Sequence, residues 1–369
     1  MRKFTFLIIS ILAIIGMVAT LSLIGCKEEV AAEEEVAAEE EVAAEEAEVV
    51  LPEPEMKNIT IHFQANTLFA SHSIALEKGY FEEAGFSSVE KATFTAGALA
   101  GEALIGGDIQ IWTPGNMPVI SMVHNAIPVV IVGMLNYCPV EYLMVRNDVT
   151  IEKPEDLLGI KIGLLEGSTC SGILENIAIE YGLDINDFNV VNLGAPEQVT
   201  ALRNNDIQAF LVWPPTPFEV EDIATNLFDS DVLGGKNYSS TNVPIVFSED
   251  FLRNNPNTAT CLLWAVYKGM EFCKDPENAD EAMEIFAEDS EQPLDLVQQG
   301  WADYWAGEFA AEAGFINDRF VSDFENYTSF QERNGRIEPP IIDVLDYTYT
   351  GILEEIMPEY VEIKGNWTP

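Results

Sequence analysis

Short stretches of alternating polar and apolar residues recur along the chain, and stretches with helical spacing lie between them. The first, residues 58–64, alternates throughout and predicts a β-strand. Residues 71–78 follow with apolar positions spaced for a helix, which Gly79 ends. The same order of strand and helix recurs to about residue 250. This alternation predicts an α/β fold with a mostly parallel sheet and right-handed crossovers.

The same two periodicities predict the remaining elements. Further strands are expected over residues 89–95, 108–112, 128–134, 141–145, 161–165, 188–193 and 207–213, and around residues 241–247 the chain is expected to cross back. Helices are expected over residues 98–105, 119–124, 156–158, 172–181 and 197–204. From Pro256 the pattern is helical, and its aromatic stripe consists of Trp301, Tyr304, Trp305 and Phe309. We interpret this stripe as packing core rather than as a ligand cage, because its spacing is that of a buried helix face.

The first 26 residues predict export and attachment to a membrane. A short basic start at residues 1–3 precedes an apolar run, residues 4–25, that contains no charged residue. The run ends in Leu-Ile-Gly-Cys, which matches the bacterial lipoprotein box and predicts a signal peptide over 1–25 with lipidation at Cys26. An uncleaved anchor helix is the alternative, since about twenty apolar residues can span a bilayer. Both interpretations place the rest of the chain at the cell membrane, facing the periplasm or the cell exterior.

Residues 26–55 are predicted to be the lipidated cysteine and an acidic, low-complexity tether. A six-residue repeat begins at Val30, Val36 and Val42, and residues 28–55 hold 13 Glu and no basic residue. A period of six matches neither a helix face nor a heptad, and the like charges repel each other. We therefore expect a spacer of at most about 90 Å rather than a folded domain.

The charge balance excludes nucleic acid as a partner. The chain carries 62 acidic and 18 basic residues, which gives a formal net charge of −44. Binding to DNA or RNA needs clustered Lys and Arg, which this chain lacks. Beyond residue 55 there remain 49 acidic and 15 basic residues, still a net charge of −34. A hydrophobic content of 48% is ample for a core, and 369 residues at about 150 per domain suggest two domains.

Five blocks of sequence carry a resemblance to a known family. They are EKGYFEEAGF at 77–86, TPGNMP at 113–118, PEDLLGIKIG at 154–163, GST at 167–169 and QAFLVWPP at 208–215. In order and spacing the chain resembles, from about residue 57 to 250, the nitrate/sulfonate/taurine (SsuA/TauA-like) solute-binding proteins of ABC importers. The resemblance implies a periplasmic-binding-protein type II fold with two α/β lobes, two hinge crossovers and a helical C-terminal part.

That resemblance also implies how the chain is divided and what it does. Lobe I would comprise residues 57–139 with 242–369, and lobe II residues 140–241. The implied function is to bind a small solute between the lobes and to deliver it to an ABC permease subunit. We expect a monomer without a cofactor or a metal. The alternatives are an enzyme or a sensory subunit that is built on the same fold.

Three junctions between a strand and a helix, residues 64–72, 112–116 and 167–171, offer free backbone N–H groups and short polar side chains. Helix N-termini carry partial positive charge and bind anionic groups without Lys or Arg. The candidate ligand-binding residues are Gln64, Asn66, Ser71, His72, Thr113, Gly115, Asn116, Ser168 and Thr169, together with Tyr137 beside the first crossover and, from the resemblance, Trp213. The hydroxyl side chains among them can instead cap their own helices, and a single side chain can do both.

Charge decides which solutes are expected. None of the 15 basic residues of the folded part lies in the three junctions, so an arginine clamp for phosphate or dicarboxylate is absent. Glu141 and Glu166 are expected near the rim of the cleft, where they would favour an amine-bearing or neutral solute over a bare anion. His72 is the titratable group placed to sense the charge of a ligand, with a solvated helix-start residue as the alternative. A sulfonate or taurine-like zwitterion fits best, and a flat heterocycle stacked on Trp213 is the competing hypothesis.

Other motifs add little to this prediction. Cys138 and Cys170 fall near the junction of the lobes, but we expect free, mostly buried thiols rather than a bridge. Residues 163–169 lack the Lys of a phosphate-binding loop, and neither zinc-ligand spacing nor a Gly-x-Ser-x-Gly elbow occurs. The sequence therefore predicts a binding protein rather than a catalyst.

Overall fold

The computed structural model describes residues 49–138, 140–236, 238, 241–306, 313–315 and 318–369. The strands are β1 Asn58–Phe63, β2 Ser88–Thr93, β3 Val129–Cys138, β4 Tyr142–Arg146, β5 Lys161–Leu164, β6 Asn189–Asn192, β7 Ala209–Val212, β8 Ala224–Asn226 and β9 Thr241–Ser248. The helices are α1 Ala70–Glu77, α2 Tyr80–Glu83, α3 Gly97–Gly106, α4 Asn116–His124, α5 Thr169–Tyr181, α6 Ala195–Arg203, α7 Glu249–Asn254, α8 Pro256–Lys274, α9 Ala279–Ser290, α10 Leu294–Trp301, α11 Arg319–Arg333 and α12 Gly351–Ile356. A π-helical turn, Ala302–Ala306, continues α10.

Lobe I, which we define as residues 49–138 with 241–369, contains two short ladders. Residues 111 and 112 connect them. Strand β1 pairs with β2 in parallel, and β3 pairs with β9 antiparallel. Between them, Ile111 bridges to Ile61 of β1 and Trp112 bridges to Val246 of β9. Strands β3 and β9 are almost wholly buried because helices cover them, which accounts for their continuous apolar sequence.

Lobe II, residues 140–238, contains one five-stranded sheet in the order β6-β5-β7-β4-β8. Strand β5 pairs in parallel with β6 and β7, whereas β4 pairs antiparallel with β7 and β8. Two hydrophobic clusters cover its two faces, one around Leu174 of α5 and one around Leu202 of α6. The lobe is entered from the end of β3 and left at the start of β9, so two crossovers connect it to lobe I.

The helical C-terminal part belongs to lobe I and packs on its two ladders. Its aromatic residues Trp301, Tyr304 and Trp305 are buried and belong to the same hydrophobic core as β1, β3 and β9. Helix α8 lies directly against α1 because position 269 is a glycine. A Cβ atom there would lie 2.0 Å from the carbonyl oxygen of Ser71. The aromatic stripe is thus packing core as predicted, while Phe309 lies outside the described residues.

Several predicted features are corrected or refined by the structure. The sheets are mixed rather than mostly parallel, since three of the six described ladders are antiparallel. The predicted strand 108–112 forms only two isolated bridges, and the predicted helix 156–158 is a 3-10 turn, Pro154–Gly159. Residues 53–55 of the predicted tether are hydrogen-bonded to Asn257 and Thr258 at the start of α8. The predicted lobe boundaries themselves stay a prediction.

The predicted signal segment, Cys26 and the tether up to residue 48 lie outside the described residues. Within the described residues, no helix combines the length and the apolarity that crossing a membrane requires. The described cysteines Cys170, Cys261 and Cys273 are free and buried, as predicted, so no bridge to Cys170 forms. Burial, with the charge of Glu141 as a smaller contribution, raises the pKa of the Cys170 thiol well above its ordinary value, which makes it a poor nucleophile.

Candidate ligand-binding cleft between the lobes

A cleft between the two lobes holds about 600 Å³ of empty space, including the part that is open to solvent at its mouth. Its lining residues are Gln64, Asn66, Leu68, Phe69, Ala96, Gly97, Ala98, Thr113, Pro114, Gly115, Pro118, Thr241, Val243 and Tyr304 from lobe I, and Val140, Glu141, Leu165, Ser168, Thr169 and Trp213 from lobe II. The lining is therefore mostly apolar with a few short polar side chains, as in sites that enclose small organic molecules.

Three helices begin at this cleft, and none of their N-termini is capped by a side chain. The residues that precede α3, α4 and α5 are Ala96, Gly115 and Ser168, and none of them makes a side-chain hydrogen bond to the first turn. The hydroxyl of Ser168 donates instead to the carbonyl oxygen of Leu165 at 2.6 Å. Because the first N–H groups of a helix have no partner within the helix, three sets of donors and three positive dipole ends converge here.

Acidic residues are absent from the first turns of α3, α4 and α5, although the chain carries 62 of them. Some other helices differ, since α7 and α9 begin with acidic pairs such as Glu249 and Asp250. The helices α1, α8 and α11 also lack acidic residues in the first turn. Carboxylates at a helix start stabilise it by about 0.3–1 kcal/mol, so leaving them out has a small cost in stability. The electrostatic environment of the three helix starts therefore suits an anionic group of a ligand.

The N-termini of α4 and α5 belong to different lobes and meet at the cleft. A Cβ atom at Gly115 would lie 3.2 Å from Cγ2 of Thr169, so the backbone of one lobe touches a side chain of the other. Glycine at this position leaves the N–H groups at the start of α4 uncovered. A ligand held there would contact both lobes at once, which couples binding to the closed arrangement.

Two buried histidines hold the polar side chains of lobe I in place. His62 Nδ1 accepts from the backbone N–H of Thr113 at 3.2 Å, and His72 Nε2 lies 3.3 Å from the Thr113 hydroxyl. Burial lowers the pKa of both histidines to about 3, so both are neutral at physiological pH. On the other side of the ring, His62 Nε2 lies 3.2 Å from the side-chain amide nitrogen of Gln64. The pair thus orients Gln64 and Thr113 at the cleft.

Lobe II contributes the carboxylate of Glu141, which is only 2% exposed. Its Oε1 accepts from the hydroxyl of Thr169 at 2.9 Å and from the hydroxyl of Thr241. Glu141 follows the first crossover and Thr241 begins the second, so one carboxylate joins both crossovers to the start of α5. Among the described residues that line the cleft, Glu141 is the only charged one.

Two aromatic side chains close the cleft. Trp213 follows β7, is half-buried and packs against the hydrophobic clusters of both lobes. It also lines a second hollow, together with Phe94, Pro196 and Thr216. Tyr304 reaches the cleft from the π-helical turn after α10.

The structure brings seven of the predicted site residues to the cleft surface. These are Gln64, Asn66, Thr113, Gly115, Ser168, Thr169 and Trp213. The side chains of Asn66 and Thr169 also take part in local structure. Asn66 Oδ1 accepts from the N–H of Leu68 at 2.9 Å, and Thr169 bonds to Glu141 as described above. Asn66 and Thr169 therefore both stabilise local structure and line the cleft, a double role that the sequence analysis allowed.

Four other candidates do not line the cleft. Ser71 and His72 are fully buried behind Thr113 and hydrogen-bond to each other at 3.1 Å, so His72 cannot sense the charge of a ligand directly. The Tyr137 hydroxyl donates to the carbonyl oxygen of Gly314 at 2.9 Å, inside lobe I. Asn116 is fully buried, and within the described residues neither polar atom of its side chain has a partner.

The sequence interpretation missed several lining residues. The sequence assigns Tyr304 to the core alone, and Thr241 and Val243 to a crossover without a binding role. In the structure, the alternation of β9 places Thr241 and Val243 on the same face. Glu166, expected at the rim together with Glu141, is exposed and does not line the cleft. Among the described residues, no cluster of three or more His, Cys, Asp or Glu side chains forms a possible metal site.

Comparison with known families decides the class of protein. A family model described as "NMT1/THI5 like" matches residues 66–279, more than half of the chain. The chain belongs to this family. The match spans the starts of α3, α4 and α5 and most of the cleft lining, and it confirms the resemblance drawn from the five sequence blocks.

Curated relatives of this NMT1/THI5-like chain are periplasmic binding proteins. It is 28% identical over 200 residues to the taurine-binding periplasmic protein of Escherichia coli K12, an alignment that covers 54% of this chain and 61% of that protein. It is 25% identical over 289 residues to the nitrate/nitrite binding protein NrtA of Synechococcus elongatus, covering 69% and 64% of the two chains. The chain therefore matches somewhat less than two thirds of the length of these relatives.

Solved structures confirm the two-lobed α/β fold. The alkanesulfonate-binding protein SsuA from Xanthomonas axonopodis pv. citri, solved with MOPS bound, superposes with a TM-score of 0.67 at 15% identity, covering 82% of this chain and 99% of that one. The nitrate-binding protein NrtA from Synechocystis PCC 6803 gives 0.68 at 17% identity, covering 84% and 90%. The desulfurization enzyme DSZB also matches, with a TM-score of 0.57 at 15% identity over 83% of this chain and 100% of the other. The fold alone therefore does not separate binding from catalysis.

Proposed function

We propose that this NMT1/THI5-like protein is the extracytoplasmic, membrane-anchored solute-binding component of an ABC importer. It binds a small organic solute with an anionic group, of the sulfonate or taurine type, between its lobes and delivers it to the permease. The single observation that carries this proposal is the meeting of three uncapped helix N-termini, free of acidic first turns, at one enclosed cleft.

The helix starts act as the recognition element for the anionic group. In a domain of net charge −34, long-range attraction of an anion is unfavourable. Fields of that kind are screened over about 8 Å at physiological salt, whereas N–H donors at the helix starts act at contact distance. The apolar lining formed by Leu68, Phe69 and Val243 would enclose the organic part of the solute.

Closure and delivery follow from the position of the ligand between the lobes. A solute that contacts Gly115 of lobe I and Thr169 of lobe II binds the closed form more tightly than the open form. This difference in binding free energy is the amount by which the solute stabilises the closed form. The permease would then select the closed form. Lipidation of Cys26 and the acidic tether would hold the protein at the membrane within reach of that permease.

Isothermal titration and thermal-shift measurements test the proposal. The purified protein would be titrated with taurine, ethanesulfonate, nitrate, a pyrimidine and an aromatic acid, and each mixture would be assayed for product. Saturable binding of a sulfonate without turnover, with a melting temperature that rises with ligand concentration, is the expected result. Turnover of any ligand would instead support the enzyme alternative, and binding of the pyrimidine alone would support stacking of a flat heterocycle on Trp213.

A further inference from the structure

A row of three buried side chains leads from the core of lobe I to the cleft. The hydroxyl of Ser71 lies 3.1 Å from His72 Nδ1, and the other ring nitrogen, Nε2, lies 3.3 Å from the hydroxyl oxygen of Thr113. Ser71 and His72 have no exposed surface, whereas Thr113 lines the cleft. The row therefore ends where a solute would be bound.

The hydrogen atoms of this row can be arranged in two directions. Because burial lowers the pKa of His72 to about 3, the ring is neutral and carries one hydrogen, on Nδ1 or on Nε2. In the first direction the Thr113 hydroxyl donates to Nε2, and Nδ1–H donates to the Ser71 oxygen. In the second direction the Ser71 hydroxyl donates to Nδ1, and Nε2–H donates to the Thr113 oxygen.

The two directions differ in which hydrogen atom lacks an acceptor. Within the described residues, the hydroxyl groups of Ser71 and Thr113 have hydrogen bonds to His72 alone. The first direction leaves the hydrogen of Ser71 buried without an acceptor, which is unfavourable because water cannot reach it. The second direction leaves the hydrogen of Thr113, at the cleft, where solvent or a ligand accepts it. The second direction is therefore the more stable one.

The main chain of Thr113 is held by the other buried histidine. Its N–H group donates to His62 Nδ1 at 3.2 Å, so one histidine positions the backbone and the other the side chain. Thr113 also precedes the uncapped start of α4. A donor that is fixed before binding loses little conformational entropy when a ligand accepts from it.

We propose that Ser71 and His72 are positioning residues that make the Thr113 hydroxyl a hydrogen-bond donor to an anionic oxygen of the solute. His72 does so as the Nε2–H tautomer and without contacting the solute. The inference rests on the proposed function and deepens it, because it names the two buried residues that set the direction of a donor at the cleft.

The tautomer of His72 tests this proposal without a ligand. The full-length protein would be labelled with nitrogen-15 histidine, and NMR would show which ring nitrogen carries the hydrogen, with His72 assigned by the signals missing from His72→Gln. Should that variant fail to fold, the ring contact with Phe94 identifies His62 and so distinguishes it from His72. We expect the Nε2–H form of His72 from pH 5 to pH 8. The Nδ1–H form, or an equal mixture, would overturn the proposal.

A double-substitution cycle tests whether His72 acts through Thr113. In titration calorimetry with ethanesulfonate, Thr113→Val should weaken binding at least fivefold and His72→Phe at least threefold. The double variant should bind within twofold of Thr113→Val alone, because the two residues act as one unit. His124→Phe is the matched control, since this ring bonds to Ile120 and Ile342 outside the cleft and should change the affinity less than twofold.

The outcomes separate this proposal from the proposed function. If the wild type binds no sulfonate while His72 is in the Nε2–H form, the proposed function fails and the direction of the hydrogen bonds is supported. If ethanesulfonate binds and the losses of the two variants add, His72 acts by another route and the proposal is overturned. Should His72→Phe fail to fold, His72→Gln replaces it, since its amide can still donate to Thr113. Binding within threefold of the wild type then supports the proposal, and a loss as large as that of Thr113→Val contradicts it.

Discussion

Arg333 of α11 and Glu175 of α5 form an ion pair across the two lobes, with 3.0 Å between Nε and Oε1. The Glu175 side chain is only 6% exposed, and the side-chain amide of Asn334 donates to its other oxygen. In a second contact, the hydroxyl of Tyr142 in lobe II donates to Asp303 of the π-helical turn at 2.9 Å. The C-terminal part thus contacts lobe II at two places and helps to hold the lobes together.

Replacing Arg333 with Ala should destabilise the closed arrangement. The substitution leaves a buried carboxylate with Asn334 as its remaining named partner, and a lost charged hydrogen bond costs about 1.5–3 kcal/mol. Because Arg333 is partly exposed, we expect about 1–2 kcal/mol in urea unfolding and weaker ligand binding. Lys236→Ala is the matched control, since its pair with Glu180 also involves α5 but stays within lobe II at the surface. Equal effects of the two substitutions would contradict an interlobe role.

Asp303 should make stability depend on pH. Burial raises the pKa of Asp303 to about 6, against an ordinary value of 3.8, and burial with the Asp303 charge raises the pKa of Tyr142, which stays a donor. Between about pH 4 and 6 the folded state therefore binds more protons at Asp303 than the unfolded state does. The contribution of this group to stability is present at low pH and is lost as the pH rises through 6.

The variant Asp303→Asn isolates this effect from the general relief of charge repulsion on acidification. Between pH 4.5 and pH 7.5 the free energy of unfolding of the variant should rise by roughly 1–3 kcal/mol relative to that of the wild type, as expected when the pKa of Asp303 is raised from 3.8 to about 6. Chemical unfolding at both pH values measures the difference. A constant difference between the two proteins would show that Asp303 has an ordinary pKa.

Replacing Trp213 with Ala should weaken solute binding at least tenfold, which corresponds to about 1.4 kcal/mol. The ring lines the cleft and packs against the hydrophobic clusters of both lobes, so its loss removes apolar contact area from the site. Trp367→Ala is the control, since this half-buried tryptophan stacks near Arg253 and Tyr349 and does not line the cleft. Unchanged affinity in Trp213→Ala would remove this residue from the site.

Replacing Cys26 with Ser should release the protein from membranes. The lipoprotein box predicts acylation at this sulfur, and two acyl chains are needed for stable anchoring. Fractionation of cells that express the wild type and the variant, followed by immunoblotting, measures the change. A variant that stays in the membrane fraction would show instead that residues 4–25 form an uncleaved anchor helix.

Replacing Gly269 with Ala should strongly destabilise lobe I. The new Cβ would lie 2.0 Å from the Ser71 carbonyl oxygen, which belongs to the backbone of α1 and cannot move without shifting that helix. We expect a loss of about 3 kcal/mol or more, the upper range for overpacking a core. Gly159→Ala, where a Cβ meets no atom within 4 Å, should change stability little. Similar melting temperatures for both variants would show that α1 and α8 can separate without cost.

Local sequence predicts most strands and helices because their periodicity depends only on neighbouring residues. The alternation at 58–64 gave β1, and the glycine at 79 marked the end of α1 within two residues. The direction of strand pairing was predicted less well. Strand β4 enters lobe II through a crossover and runs antiparallel to β7, which depends on segments far apart in the chain.

The sequence by itself determined the family, the order of elements, the starts of α4 and α5 without basic residues and the acidic character of the chain. The start of α3 at the cleft was not predicted, because the first predicted junction, residues 64–72, precedes α1 instead. Only the tertiary structure decided that His72 is buried behind Thr113, that Glu141 faces the ligand cleft while Glu166 does not, and that Tyr304 reaches the cleft. The physical reason is that burial and side-chain direction depend on how distant segments pack. A helix start is encoded within a few residues, whereas a cleft exists only where two lobes meet.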